Sequence, residues 1–177
     1  MGKRLCVFCG SHMGTRPIFA ERTRELGRSL ARRGLELVFG GGHVGLMGAI
    51  ADAVLEAGGT AIGVIPQALV DRELAHDRLT TLRIVACMHE RKALMADLSD
   101  AFIALPGGYG TADELFEILT WAQLGLHAKP VGLLNIAGFF DPLLAWVDRA
   151  ADDGFLYGDT HLLVETDIEK LLDQMLP

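Results

Sequence analysis

A chain of 177 residues, half of them hydrophobic, is long and apolar enough to bury one sizeable core. Its formal net charge of −7 argues against a nucleic-acid surface, so any anion site must be made locally by backbone amides and a few cations. No uninterrupted apolar stretch is long enough to cross a bilayer, the N-terminus lacks the apolar region of a signal peptide, and the three cysteines read as reduced core thiols; together these predict a cytoplasmic protein.

In chain order, residues 5–9 predict a first strand. Cys6 and Cys9 are three apart on it and therefore point to opposite faces, which removes a redox or metal pair. A loop containing Ser11 follows. Pro17 suits a helix start, and Phe19, Leu26 and Leu30 recur at helical spacing until Gly34 stops the helix. Residues 35–39 form a second strand. The glycine-rich turn 40–45 then opens a helix to about Ala57, and residues 60–65 make a third strand stopped by Pro66. Residues 67–78 are charged and aperiodic, a loop or lid. Residues 80–85 predict a strand and 88–98 a helix.

The apolar run 101–105 is a buried strand, ended by Pro106-Gly107-Gly108-Tyr109-Gly110-Thr111 and followed by a helix to about Leu126. That helix is apolar nearly all round, so it belongs in the core or against a second subunit, which predicts a homodimer. A strand at 130–135, a helix at 139–152, a short strand at 162–164 and a helix at 168–175 complete the chain. Alternating strands and helices predict one Rossmann-like α/β domain, a doubly wound parallel sheet with helices on both faces. Ligands of such sheets bind beyond the carboxyl ends of the strands, and three glycine-containing loops leave from those ends. They bring Ser11, Gly41, Gly42, Gly45 and Gly108–Thr111 forward as candidate substrate contacts.

A strand, a glycine turn and a helix N-terminus form a ready anion site. Glu114 stands beside it and has two readings. Thr111-x-x-Glu114 fits a capping box; alternatively, the carboxylate is held beside a phosphorylated ligand and aimed at something other than the phosphate. Gly40-x-Gly42-x-x-Gly45 matches a dinucleotide fingerprint, but the next strand ends without the ribose-binding acid, so a small nucleotide fits better than NAD. Arg91 starts the buried stripe Leu94, Met95 and Leu98 of its helix and should point inward, with Glu114 or a ligand as partner. No histidine pair has metal-binding spacing, so no metal is expected.

Gly-Gly-Gly-x-x-Gly-Leu-Met-Gly (40–48), Met-His-x-Arg-Lys (88–92) and Pro-Gly-Gly-x-Gly-Thr-x-x-Glu (106–114) resemble the Lonely Guy (LOG) family of cytokinin riboside 5′-monophosphate phosphoribohydrolases, often labelled lysine decarboxylases. Residues 120–125 and 129–135 also look like that family, and the match is collinear from about Cys9 to Asn135. His43 departs from it, standing where a small polar residue is expected. The resemblance implies hydrolysis of the N-glycosidic bond of a nucleoside 5′-monophosphate, without a cofactor, to free base and ribose 5-phosphate. It also implies Arg91 and Glu114 as the catalytic pair and ligand contacts at Glu73, Lys92, Gly108–Thr111 and Thr120. Against a pyridoxal-phosphate decarboxylase, only Lys3, Lys92, Lys129 and Lys170 exist, and nothing supplies a pyridinium partner. A nucleotide-sensing module without turnover is the non-enzymatic alternative.

Overall fold

The computed structural model describes residues 2–72, 74–156 and 162–176. Seven strands alternate with helices among them: β1 (Arg4–Phe8), α1 (Pro17–Arg32), β2 (Glu36–Phe39), α2 (Gly45–Glu56), β3 (Ala61–Pro66), α3 (Gln67–Val70), β4 (Thr81–Val85), α4 (Met88–Leu98), β5 (Ala101–Ala104), α5 (Tyr109–Gln123), β6 (Val131–Leu134), α6 (Asp141–Asp152), β7 (Leu162–Glu165) and α7 (Ile168–Met175). All strand pairs are parallel, in the order β4-β3-β2-β1-β5-β6-β7. The expected doubly wound sheet is therefore present, and its order reverses between β1 and β5, the crevice where such sheets bind ligands.

Period-two alternation on the central strands divides the core. Leu5, Val7 and Cys9, with Ala101, Ile103 and Leu105, face α1, α2 and α7 through Leu26, Leu30, Ile50, Val54 and Leu172. Cys6, Phe8, Phe102 and Ala104 face the other way, against Met95, Ala96, Leu115 and Ile118 of α4 and α5. Both faces are covered, so the strands are apolar on each side. The opposite facing of Cys6 and Cys9 follows the expectation. Cys87, by contrast, is exposed ahead of α4 and is no core thiol.

Three local departures bear on the site. The segment expected as a loop at 67–78 opens with one turn of helix, α3, and then pairs Ala75 with Gly42 in an isolated antiparallel bridge. The helix expected to run to Leu126 ends at Gln123, with Gly125 in the left-handed region (φ 72°) just beyond it. It buries one stripe only, Thr111, Glu114, Leu115 and Ile118, and leaves Leu124 and Leu126 exposed. Between β6 and α6 lies a 3₁₀ turn, Ile136–Gly138, in which Ala137 has φ 53°. It is held by Asn135, whose side chain donates to Asp141 and accepts from the Phe140 N–H.

Candidate active site

The three glycine loops meet over the switch point. The Gly10 N–H donates to the Pro106 carbonyl (3.1 Å) and the Leu46 N–H to the Gly10 carbonyl (3.0 Å), which ties the ends of β1, β5 and α2 together. Glycine is required where these backbones touch. A β-carbon on Gly107 would stand 2.0 Å from Thr111 Oγ1, and one on Gly45 would stand 2.2 Å from the Ser11 backbone. A cavity of about 680 Å³ opens beneath the loops. Ser11, Gly42, Arg91, Gly108, Tyr109, Gly110, Thr111 and Glu114 line it.

The α5 N-terminus forms one wall. Gly108 is its N-cap and provides no side-chain hydrogen bond to the first turn. The N–H groups of Tyr109, Gly110 and Thr111 therefore lack an intrahelical acceptor. Because the helix starts at Tyr109, Thr111 is a third-position residue and not the cap. This excludes the capping-box reading of Glu114, which lies beyond the first turn with its side chain in the cavity wall.

Arg91 reaches the same wall from α4 and is only 7% exposed. The sequence pointed to a carboxylate or a ligand as its partner; the structure gives it backbone carbonyls as well. Nε donates to Val64 at 3.1 Å and Nη2 to Gly40 at 3.2 Å. Nη1 donates to the Met88 sulfur at 3.8 Å and lies 3.6 Å from Glu114 Oε1, an ion pair beyond hydrogen-bond distance. Burial raises the Glu114 carboxyl to about 7; the Arg91 charge opposes that rise and Asp113 adds to it. The site thus holds a carboxyl that changes charge near neutrality beside a guanidinium fixed by two carbonyls. Cys9 also lines the cavity, but burial and the Glu114 charge push its thiol far up, so it does not supply a thiolate.

Other sequence-derived residues fall elsewhere. Lys92 bridges Asp113 (3.0 Å) and Glu117 (3.1 Å) on α5 and is not in the cavity lining. Burial works to lower its pKa, but the two carboxylates outweigh that and raise it. Thr120 is exposed and donates to the Phe116 carbonyl of its own helix. Gly41 and Gly45 shape their loops with φ of 74° and 61° without lining the cavity. Glu73 lies outside the described residues. His43 is exposed, its N–H donating to the Leu74 carbonyl. No group of three or more potential metal ligands occurs among the described residues. Sequence reasoning missed Phe19, Met47, Leu74 and Phe139 in the lining. Met47 could have been found, since it stands in the second glycine motif; Phe139 could not, because the turn that presents it has no sequence period.

Residues 47–175 match the family described as "Possible lysine decarboxylase". A "Probable cytokinin riboside 5′-monophosphate phosphoribohydrolase" of Oryza sativa subsp. japonica is 55% identical over 161 residues, covering 91% of this chain and 72% of that protein. A cytokinin riboside 5′-monophosphate phosphoribohydrolase of Arabidopsis thaliana is 50% identical over 175 residues, 98% of this chain and 77% of that protein. Among solved structures, the molybdenum cofactor carrier protein of Chlamydomonas reinhardtii superposes with a TM-score of 0.75 at 24% identity, over 99% of this chain and 98% of that one, which shows a shared fold. With three collinear motifs converging on one cavity and half or more of the residues shared with these relatives, the chain belongs to the LOG family.

Proposed function

We propose that this protein hydrolyses the N-glycosidic bond of a nucleoside 5′-monophosphate, AMP or an N6-modified AMP such as isopentenyl-AMP, to free base and ribose 5-phosphate. The observation that carries the reading is Glu114, a buried carboxyl on the cavity wall one turn past an uncapped helix N-terminus and 3.6 Å from Arg91. The free N–H groups of residues 109–111 bind the 5′-phosphate, which sets the ribose along α5 toward Glu114. Cleaving the C1′–N bond develops positive charge on the sugar. The Glu114 carboxylate stabilises that charge and orients water for attack at C1′. Arg91, held by the Gly40 and Val64 carbonyls, opposes the upward pull of burial on the carboxyl and keeps it in place. The departing base takes a proton, and water supplies the hydroxyl left on C1′.

The test is incubation with AMP and isopentenyl-AMP, with adenosine and NAD as controls, and chromatography of the products. Base released from the monophosphates but not from adenosine is the expected result. Binding of AMP with no base released would overturn the hydrolase reading in favour of a nucleotide sensor.

We further infer a homodimer. No residue of α6 is buried within the chain, and Trp146, in edge contact with Phe116 of α5, is 57% exposed. Apolar helix faces of this kind fit a second copy; a monodisperse monomer by light scattering would exclude it. Among the described residues no helix is long and apolar enough to cross a membrane, and the three free cysteines fit a reducing, cytoplasmic setting.

A further inference from the structure

His76 is 4% exposed, although it lies in the segment whose sequence is charged and aperiodic. Both ring nitrogens have a partner. The Arg78 N–H donates to its Nδ1 at 3.2 Å, so Nδ1 is the accepting nitrogen and Nε2 the one that donates. Nε2 lies 3.2 Å from Asp52 Oδ1 on α2 and donates to it. The Arg78 guanidinium also bonds Asp52. The backbone beside the ring is laced to the second glycine loop: the His76 N–H donates to the Gly41 carbonyl (2.9 Å) and the His43 N–H to the Leu74 carbonyl (3.0 Å), with Ala75 paired to Gly42. Leu74 and Gly42 line the cavity. A short strap is thus clamped to a helix outside the site at one carboxylate, Asp52, reached by the buried His76 ring and by the Arg78 guanidinium.

We propose that His76 is a positioning residue: bridging Asp52 and the Arg78 N–H, it holds the 74–78 strap on the 41–43 loop and so sets the cavity wall that meets the substrate. Deleting the ring's two hydrogen bonds loosens the strap, which then keeps only the Arg78–Asp52 pair and its backbone bonds, and leaves Glu114 and the α5 N-terminus untouched. Arg91 keeps its Val64 carbonyl in any case. The effect therefore falls on binding more than on chemistry.

The kinetic part of this inference rests on the hydrolase reading; the hydrogen-exchange part does not. His76→Phe keeps a ring and removes both bonds. Asp52→Leu removes the partner from a side chain that is 39% exposed, so it serves if the buried variant fails to fold. Asp52→Asn retains an oxygen for the Nε2–H and is the conservative control. The expected result is a KM for the monophosphate raised about tenfold in His76→Phe and Asp52→Leu, with kcat within about twofold, and Asp52→Asn near wild type. The double variant should be no worse than Asp52→Leu alone, because that substitution already removes the carboxylate that His76 and Arg78 share. The His43 and His76 amides should exchange at least about tenfold faster, with β1 and β5 amides unchanged. Unchanged exchange at those amides would overturn the proposal. So would faster exchange with an unmoved KM, or a kcat loss as large as the KM rise. If the wild type binds AMP but releases no base, the hydrolase reading falls, and the clamp is decided by exchange and by AMP affinity in the same variants.

Discussion

Gly40 and Arg91 are fitted to each other: a β-carbon on Gly40 would stand 1.7 Å from Arg91 Nη2, and the Gly40 carbonyl accepts from that same nitrogen. The glycine therefore leaves room for the guanidinium and also orients it. Gly40→Ala should displace Arg91 and lower kcat/KM by about a hundredfold or more, since misplacement by an ångström has that scale of effect. Overpacking of this kind costs about 1–3 kcal/mol, which a thermal melt will read alongside the kinetics.

Glu114→Gln separates catalysis from stability. Turnover should fall by about 10²–10⁴-fold, because an amide cannot stabilise the developing cation or orient water as a carboxylate does. Stability should move the other way. With its carboxyl raised to about 7 from 4.5, the native state binds more protons than the unfolded state between those values, so stability is full below pH 4.5 and is lost as pH rises to 7. The loss is about 3 kcal/mol. Calorimetry at pH 8 should therefore find the Gln variant melting about 5 °C or more above wild type, with little difference at pH 4.

In the proposed mechanism the same carboxyl works ionised, so kcat/KM should rise through a limb centred near pH 7 and level off above it. A limb centred near pH 4.5 would mean that the working carboxyl is not buried as Glu114 is.

Lys92 gives a test between direct contact and action at a distance. Its charge helps to hold the Glu114 pKa down, while its ammonium is engaged by Asp113 and Glu117. Lys92→Met should move the acid limb to higher pH and leave KM at the plateau within about twofold. A KM raised tenfold at the plateau, with the limb unmoved, would assign Lys92 to the substrate instead.

Much of this was readable from residue order. The inward aim of Arg91 followed from its place on the stripe with Leu94, Met95 and Leu98, and the sheet from the alternation of apolar runs with helical spacing. The role of Glu114 turned on where one helix begins. Thr111 carries the stronger capping signature, but Gly108 caps without a side chain and leaves nothing in the sequence to see. The partners of Lys92 were not visible: it was expected at the ligand, and its pairing with Asp113 and Glu117 comes from the packing of α4 against α5. The strap at 74–78 was not, because its order comes from contacts to α2 and the 41–43 loop and not from any period of its own.

The seam between β1 and β5 also governs when the site comes into being. The Arg4 N–H donates to the Asp100 carboxylate 96 residues further on, at the foot of that seam. The remaining strands lie outward on either side of it, and pairing β1 with β5 draws in a long loop of chain, the kind of non-local contact that forms slowly. A partly folded chain would hold each glycine turn with no facing wall. A nucleotide bound across the crevice as proposed would touch both halves and tie them, adding about 2.7 kcal/mol at a hundredfold excess over Kd. The substrate is then also a folding ligand, and the protein should resist unfolding and proteolysis best in cells rich in it.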